Sequence, residues 1–229
     1  PSALLEQFAM LAELYDGAFY LFYDRGQTIL SRRVEGQTLQ MAPAWIDAHM
    51  DCRLVLYRNC RNTAEIGRTV GSFIERRHKN YLSDVHGKRP CAVFVSQMEV
   101  LAQAAADFVR RMRSAEKLEL RDIVILTVST LAKSVLGSLT ELAGIPVSHK
   151  PEEGKLWLTT VRRYKGLEAK AVLLVDVRVS RLTDSTCQRL IYVGSSRATA
   201  YLESLFLNDV APEEYPALTA QLGEEVAPT

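Results

Sequence analysis

The chain has 229 residues, enough to bury one sizeable core or two modest ones. Its formal net charge is only +1, so there is no overall basic field, and any contact with nucleic acid has to come from local patches. No apolar run approaches a bilayer span and PSALLEQF is not a charged leader, so a cytoplasmic protein with no membrane partner is expected.

Along the chain, SALLEQFAMLAELYDG spaces its apolar residues as a helix and stops on Gly17. AFYLFYD (18–24) reads as a buried strand, residues 28–51 as a connector, and CRLVLYRN (52–59) as a strand. An amphipathic helix over 62–80 follows, capped by Asn62 or Thr63, and then a polar loop to Pro90. Six cations (arginines 58, 61, 68, 76 and 77, with Lys79) stand against Glu65 and Glu75 between 58 and 80, either a phosphate-facing patch or a solvated helix face.

Strand CAVFVSQ (91–97), a helix over 98–115 and strand DIVILTV (122–128) come next. LAKSVLGSLTELAG (131–144) is expected to be a helix closed by Gly144 and Pro146. Strands KLWLTTV (155–161) and AKAVLLVDV (169–177), helix CQRLIYVGSSRATA (187–200) and strand YLESLFL (201–207) complete the pattern, with an acidic tail from Asn208. Strands apolar throughout and alternating with helices predict an α/β fold, a parallel sheet covered on both faces, with ligands at the carboxyl ends of its strands.

Cys52, Cys60, Cys91 and Cys187 form no CxxC pair and have no histidine at ligand spacing, so reduced buried thiols are expected and a zinc site is not. The chemistry concentrates elsewhere. In Lys165-Gly166-Leu167-Glu168 two opposite charges flank a glycine at the mouth of a buried strand, and their spacing lets both face one rim. The plainer reading is a solvated ion pair. In the following helix Arg189 and Arg197 stand two turns apart on one face, around the hydroxyl-rich Ser195-Ser196. A guanidinium so fixed suits a phosphate, and the plainer alternative is a surface helix with scattered arginines.

TVRRYKGLE (160–168) and RLIYVGSSRA (189–198) resemble the last two motifs of the UvrD/Rep-type superfamily I DNA helicases, Thr-x-His-x-x-Lys-Gly-Leu-Glu and Arg-Leu-x-Tyr-Val-x-x-Thr-Arg-Ala. FYDRGQTIL (22–30) resembles that family's Gly-Asp-x-x-Gln-x-Ile, and LYRNCRNTAEI (56–66) its Leu-x-x-Asn-Tyr-Arg-Ser. The four occur in the family's order. The resemblance implies a RecA-like fold of the P-loop NTPase type: the end of a first RecA-like domain over 1–45, a second over 46–207, and an acidic tail over 208–229. That family often inserts a separate helical subdomain between these motifs, but the interval from Arg61 to Thr160 is short, so none is expected.

It further implies ATP held between the two domains and movement along single-stranded DNA, or at a duplex junction, with 3′-to-5′ polarity. Gln27 matches the glutamine that reaches the γ-phosphate, and Arg61 and Arg197 match the arginines presented to it. Glu168 matches the carboxylate on the ribose, with Gly166 letting the backbone approach the nucleotide. Thr160 and Arg162 match positions on the DNA backbone. Cys60 replaces the tyrosine that stacks on adenine, Arg162 the motif histidine, Ser196 a threonine and Tyr23 a glycine.

No Gly-x-x-x-x-Gly-Lys-Ser/Thr loop and no Asp-Glu dipeptide occurs, so the side that grips β-phosphate and Mg is not in this sequence. The Mg ligands would lie upstream, in the first RecA-like domain, and this chain alone is expected to be inactive. The two functions left open are the carboxyl-terminal part of an ATP-dependent DNA helicase and a catalytically inactive, helicase-like adaptor that binds DNA or protein.

Overall fold

The computed structural model describes Cys52, Leu54, residues 59–72 and residues 83–210. The chain divides into two units, Pro1–Leu56 and Tyr57–Thr229, and nearly all described residues belong to the second. The helix, strand and connector expected before residue 52, the strand over 52–59, the far half of the 62–80 helix, most of the acidic tail and Gln27 lie outside the described residues.

The described elements are helix α1 (Ala64–Ser72), strand β1 (Cys91–Val95), helix α2 (Met98–Ser114) and strand β2 (Ile123–Thr127). There follow β3 (Glu141–Leu142), β4 (Ile145–Ser148), β5 (Leu156–Thr160), β6 (Ala169–Arg178), helix α3 (Ser185–Ser195) and β7 (Ala198–Leu207). All seven strands form one sheet in the order β1-β7-β6-β2-β5-β4-β3, parallel throughout except for the edge hairpin β3–β4. This is the expected mostly parallel α/β sheet of the RecA-like class.

Side chains alternate across a strand, so β6 shows how both faces are covered. Ala171, Leu173 and Val175 join Leu101, Ala105, Phe108, Val109 and Met112 of α2 in one buried cluster. Burial of each large side chain in it contributes roughly 1.5–3 kcal/mol. Leu174 points to the other face, where α3 lies against it. A Cβ on Gly194 would sit 2.7 Å from Leu174 Cδ1 and 2.9 Å from Val161 Cγ2, so the absent side chain is what lets α3 approach this closely.

Local chemistry sets the boundaries. Thr63, not Asn62, caps α1: its hydroxyl accepts the Ile66 N–H at 3.4 Å and its carbonyl the Gly67 N–H at 2.9 Å. Asp184 caps α3 by accepting the Cys187 N–H at 2.8 Å.

Four expectations need correction. Residues 131–144 are not a helix but a 3₁₀ turn (Leu131–Lys133), further turns and the start of the β3–β4 hairpin. Ser134, Gly137, Ser138 and Thr140 are weak helix formers, and the left-handed pair Ala143–Gly144 (φ 55° and 77°) reverses the chain between β3 and β4.

The helix expected over 187–200 stops at Ser195, and the last strand begins at Ala198, three residues early. The Ser196 hydroxyl turns back to the Val193 carbonyl at 2.9 Å while Ala198 pairs with Ala169 of β6, so sheet pairing wins the segment. Arg197 therefore lies beyond the helix and buried, whereas Arg189 is exposed on it, and the two share no helix face. Finally, the four cysteines are free thiols, but only Cys187 is buried; Cys52 and Cys60 are exposed and Cys91 is half-buried.

Candidate functional site

The turn from Val161 to Glu168 carries the chain from the carboxyl end of β5 to the amino end of β6. Thr160 starts it by accepting the Arg163 N–H on its hydroxyl at 3.2 Å and the Tyr164 N–H on its carbonyl at 3.0 Å. Tyr164 anchors it: 3% exposed, the ring meets Trp157 edge-on at 5.1 Å and its hydroxyl donates to the Glu168 carbonyl at 2.9 Å. Burial, with the Glu168 carboxylate adding to it, pushes the phenol up to about 12, so it remains a donor at neutral pH. Gly166 has φ +98°, a conformation that costs a side-chain-bearing residue about 1–2 kcal/mol. A Cβ there would meet nothing within 4 Å, so the glycine is required by backbone conformation and faces open space.

Glu168, last residue of the turn, reaches Arg61, which lies 107 residues away at the start of α1. Arg61 Nε donates to Glu168 Oε2 at 2.9 Å, with both side chains exposed, at 40% and 56%. Such a pair is worth no more than about 1 kcal/mol in water, so either partner can be exchanged for a ligand at small cost.

Arg197 is fixed to the same place by the sheet. Ala169 and Ala198 are register partners, so the residues before them, Glu168 and Arg197, are neighbours across β6 and β7, and the Ala169 N–H donates to the Arg197 carbonyl at 3.0 Å. The Arg197 side chain is 2% exposed; Nε donates to the Val193 carbonyl at 3.1 Å and Nη1 lies 3.5 Å from the Leu167 carbonyl.

Arg61, Glu168 and Arg197, drawn from three separated segments, thus meet at one place. The cluster stands at the amino ends of β6 and β7, not at the carboxyl ends where ligands are expected. Thr160 and Arg162, the half-buried and the exposed residue at the carboxyl exit of β5, lie at the opposite end of the strands. Beyond Glu168 an open groove of about 750 Å³ continues along the amino ends of β2 and β5, walled by Trp157, Tyr164 and Leu167, with Arg113, Arg121 and Lys155 on its rim beside Glu119, Glu152 and Glu153.

Three contributors escaped the sequence reading. Asn59 Oδ1 accepts the backbone N–H groups of Arg61 and Asn62 at 3.0 and 3.2 Å, which shapes the turn before α1. Asn62 donates to the carbonyls of Ser196 and Ala198 at 3.2 and 2.5 Å. Tyr164 is the third. Asn62 was visible only as a cap candidate and Asn59 only as a motif position, and Tyr164 carried no signal beyond its place in the turn.

Among the described residues no group of three or more His, Cys, Asp or Glu side chains is placed to hold a metal ion. Nor is any helix among them long and apolar enough to cross a membrane.

Residues 155–202, from β5 into β7, match the family model described as the UvrD-like helicase C-terminal domain. The chain is also similar in structure to the C-terminal domain of a "possible DNA helicase" from Lactobacillus plantarum WCFS1. That likeness has a TM-score of 0.55 at 19% identity and covers 72% of this chain and 94% of that one. Comparison with curated proteins gave no match.

Proposed function

We propose that this chain is the carboxyl-terminal part of an ATP-dependent DNA helicase or translocase and supplies the arginine side of an ATP site completed by a first RecA-like domain. The observation that carries the reading is the meeting of Arg61, Glu168 and Arg197 at one edge of the sheet. The match of residues 155–202 to a helicase domain supports it.

In this reading Arg61 leaves its weak pair with Glu168 for the γ-phosphate, and Glu168 turns to the ribose. The left-handed turn at Gly166 keeps the backbone clear of side chain beside the nucleotide. Arg197 adds positive charge from behind, held by carbonyl oxygens. An arginine placed on a transferring phosphoryl group accelerates the reaction roughly 10³- to 10⁵-fold. Gln27 would contact the same phosphate, Mg would be held by residues upstream of this sequence, and Thr160 and Arg162 would touch single-stranded DNA at the other end of the strands.

The test is Arg61→Ala in the intact protein. Because Arg61 is exposed, its removal should leave the melting temperature within a degree or two. ATP turnover should fall at least about 10²-fold with ATP affinity changed only a few-fold. Undiminished turnover rejects the reading.

The burial of Arg197, together with Cys60 where the family places an adenine-stacking tyrosine, favours a second reading: an inactive, helicase-like adaptor for DNA or protein. Absence of DNA-stimulated ATP hydrolysis in the intact protein, with DNA or protein binding retained, would select it.

A further inference from the structure

Asn62 spends its whole side-chain amide on the arginine cluster. One of its N–H groups donates to the carbonyl of Ser196 at 3.2 Å and the other to that of Ala198 at 2.5 Å, the carbonyls of the two residues that neighbour Arg197 in sequence. Its oxygen accepts from Asn59 Nδ2 at 2.9 Å. The residue is 5% exposed, so these bonds do not compete with water. Asn59 also holds the backbone N–H of Arg61, the residue immediately before Asn62. From the far side the Arg197 carbonyl is held by the Ala169 N–H of β6 at 3.0 Å.

One short side chain therefore bolts the segment that carries Arg61 to the segment that carries Arg197, across 134 residues of sequence. Helix capping does not account for this, because Thr63 already caps α1. Nor does packing, because both donors are spent on the carbonyls of the residues before and after Arg197. A serine, which the family pattern has at this position, offers one donor on a shorter arm and cannot satisfy both carbonyls.

We propose that Asn62 is a positioning residue that fixes the backbone of Arg197 relative to Arg61 and so sets the spacing of the two cations. The proposal rests on the reading of these arginines as the phosphate-facing side of an ATP site. Catalysis by positioned charge is steep in distance, and a misplacement of about 1 Å can cost about 10²-fold in rate.

The experiment compares Asn62→Ala, Asn62→Ser, Arg197→Ala and the double variant Asn62→Ala/Arg197→Ala in the intact protein. ATP hydrolysis is the first readout. The second is hydrogen exchange of the Arg197 Nε–H, followed by ¹⁵N NMR in this chain. Asn62→Ala should lower kcat about 10- to 10²-fold, with KM within about threefold. In the Arg197→Ala background the same change should have no further effect, because a residue that acts through Arg197 has nothing left to position.

Asn62→Ser, which keeps one donor, should fall between wild type and Asn62→Ala, and it carries the test if the alanine variant melts below the assay temperature. Exchange of the Arg197 Nε–H should quicken in both. A full extra loss in the double variant, or wild-type kcat and exchange in both Asn62 variants, overturns the proposal. If Arg61→Ala and Arg197→Ala leave hydrolysis untouched, the ATP-site reading falls instead, and the exchange measurement alone then decides whether the clamp exists.

Discussion

The two ends of the central strands use polar side chains in opposite ways. At the carboxyl ends two aspartates are consumed by the fold. Asp176, in a left-handed conformation (φ 64°) where β6 and β7 shift register, accepts the Thr127 hydroxyl at 2.5 Å and the Val135 N–H at 3.1 Å. Asp209 likewise takes the Ser180 N–H and hydroxyl at 3.0 and 2.8 Å, with Arg178 at 3.2 Å. At the amino ends Glu168 and Arg61 hold each other in water, through a contact that a ligand can replace. Groups locked by several internal bonds hold loops in place, whereas a solvated pair beside a buried arginine is free to change partners.

Substitutions at the two ends should therefore separate stability from ligand binding. The largest effect on stability is expected at the carboxyl end. Asp176→Ala strips the Thr127 hydroxyl and the Val135 N–H of their acceptor and should cost roughly 2–3 kcal/mol in urea unfolding of this chain. A loss below half a kcal/mol would erase the contrast.

Glu168→Ala should cost less than about 1 kcal/mol by the same measurement. In the intact protein it should weaken ATP binding about tenfold while sparing inorganic tripolyphosphate, which has no ribose. Equal weakening of both would show that Glu168 acts through charge alone and not on the sugar.

The smallest effect concerns how α1, which follows Arg61, is tied down. Hydrogen bonds first from His86 and then from the Gly87 N–H hold the Glu65 carboxyl down at about 2, against an ordinary 4.5. A depressed carboxylate stabilises the folded state fully above its unfolded value and loses that contribution as pH falls through the folded one. The melting-temperature gap between wild type and Glu65→Gln should thus be constant above about pH 5 and close between about pH 4.5 and 2. A gap that does not depend on pH would remove this tether.

Local pattern made much of this legible. The apolar runs of β1, β2, β5, β6 and β7 and the long face of α2 could be read within a residue or three of their ends, because side-chain periodicity is a property of short segments. The motif residues Glu168, Arg61 and Arg197 could be named as a set through resemblance, and Gly166 through its conformational role. Residues 131–144 and the end of α3 were misread because weak helix formers there yield to strand pairing, which local propensity does not register.

The sequence by itself determined an alternating α/β chain, a glycine turn ahead of a buried strand, and which charged residues to watch. Only the tertiary structure decided that these residues stand at the amino ends of the strands, that Arg197 is buried, and that Asn62 joins the two arginine segments. The reason is that such contacts follow from sheet order and register. Placing β7 beside β6 with Ala198 opposite Ala169 sets Arg197 next to Glu168, and α1 brings Arg61 to them from 107 residues away.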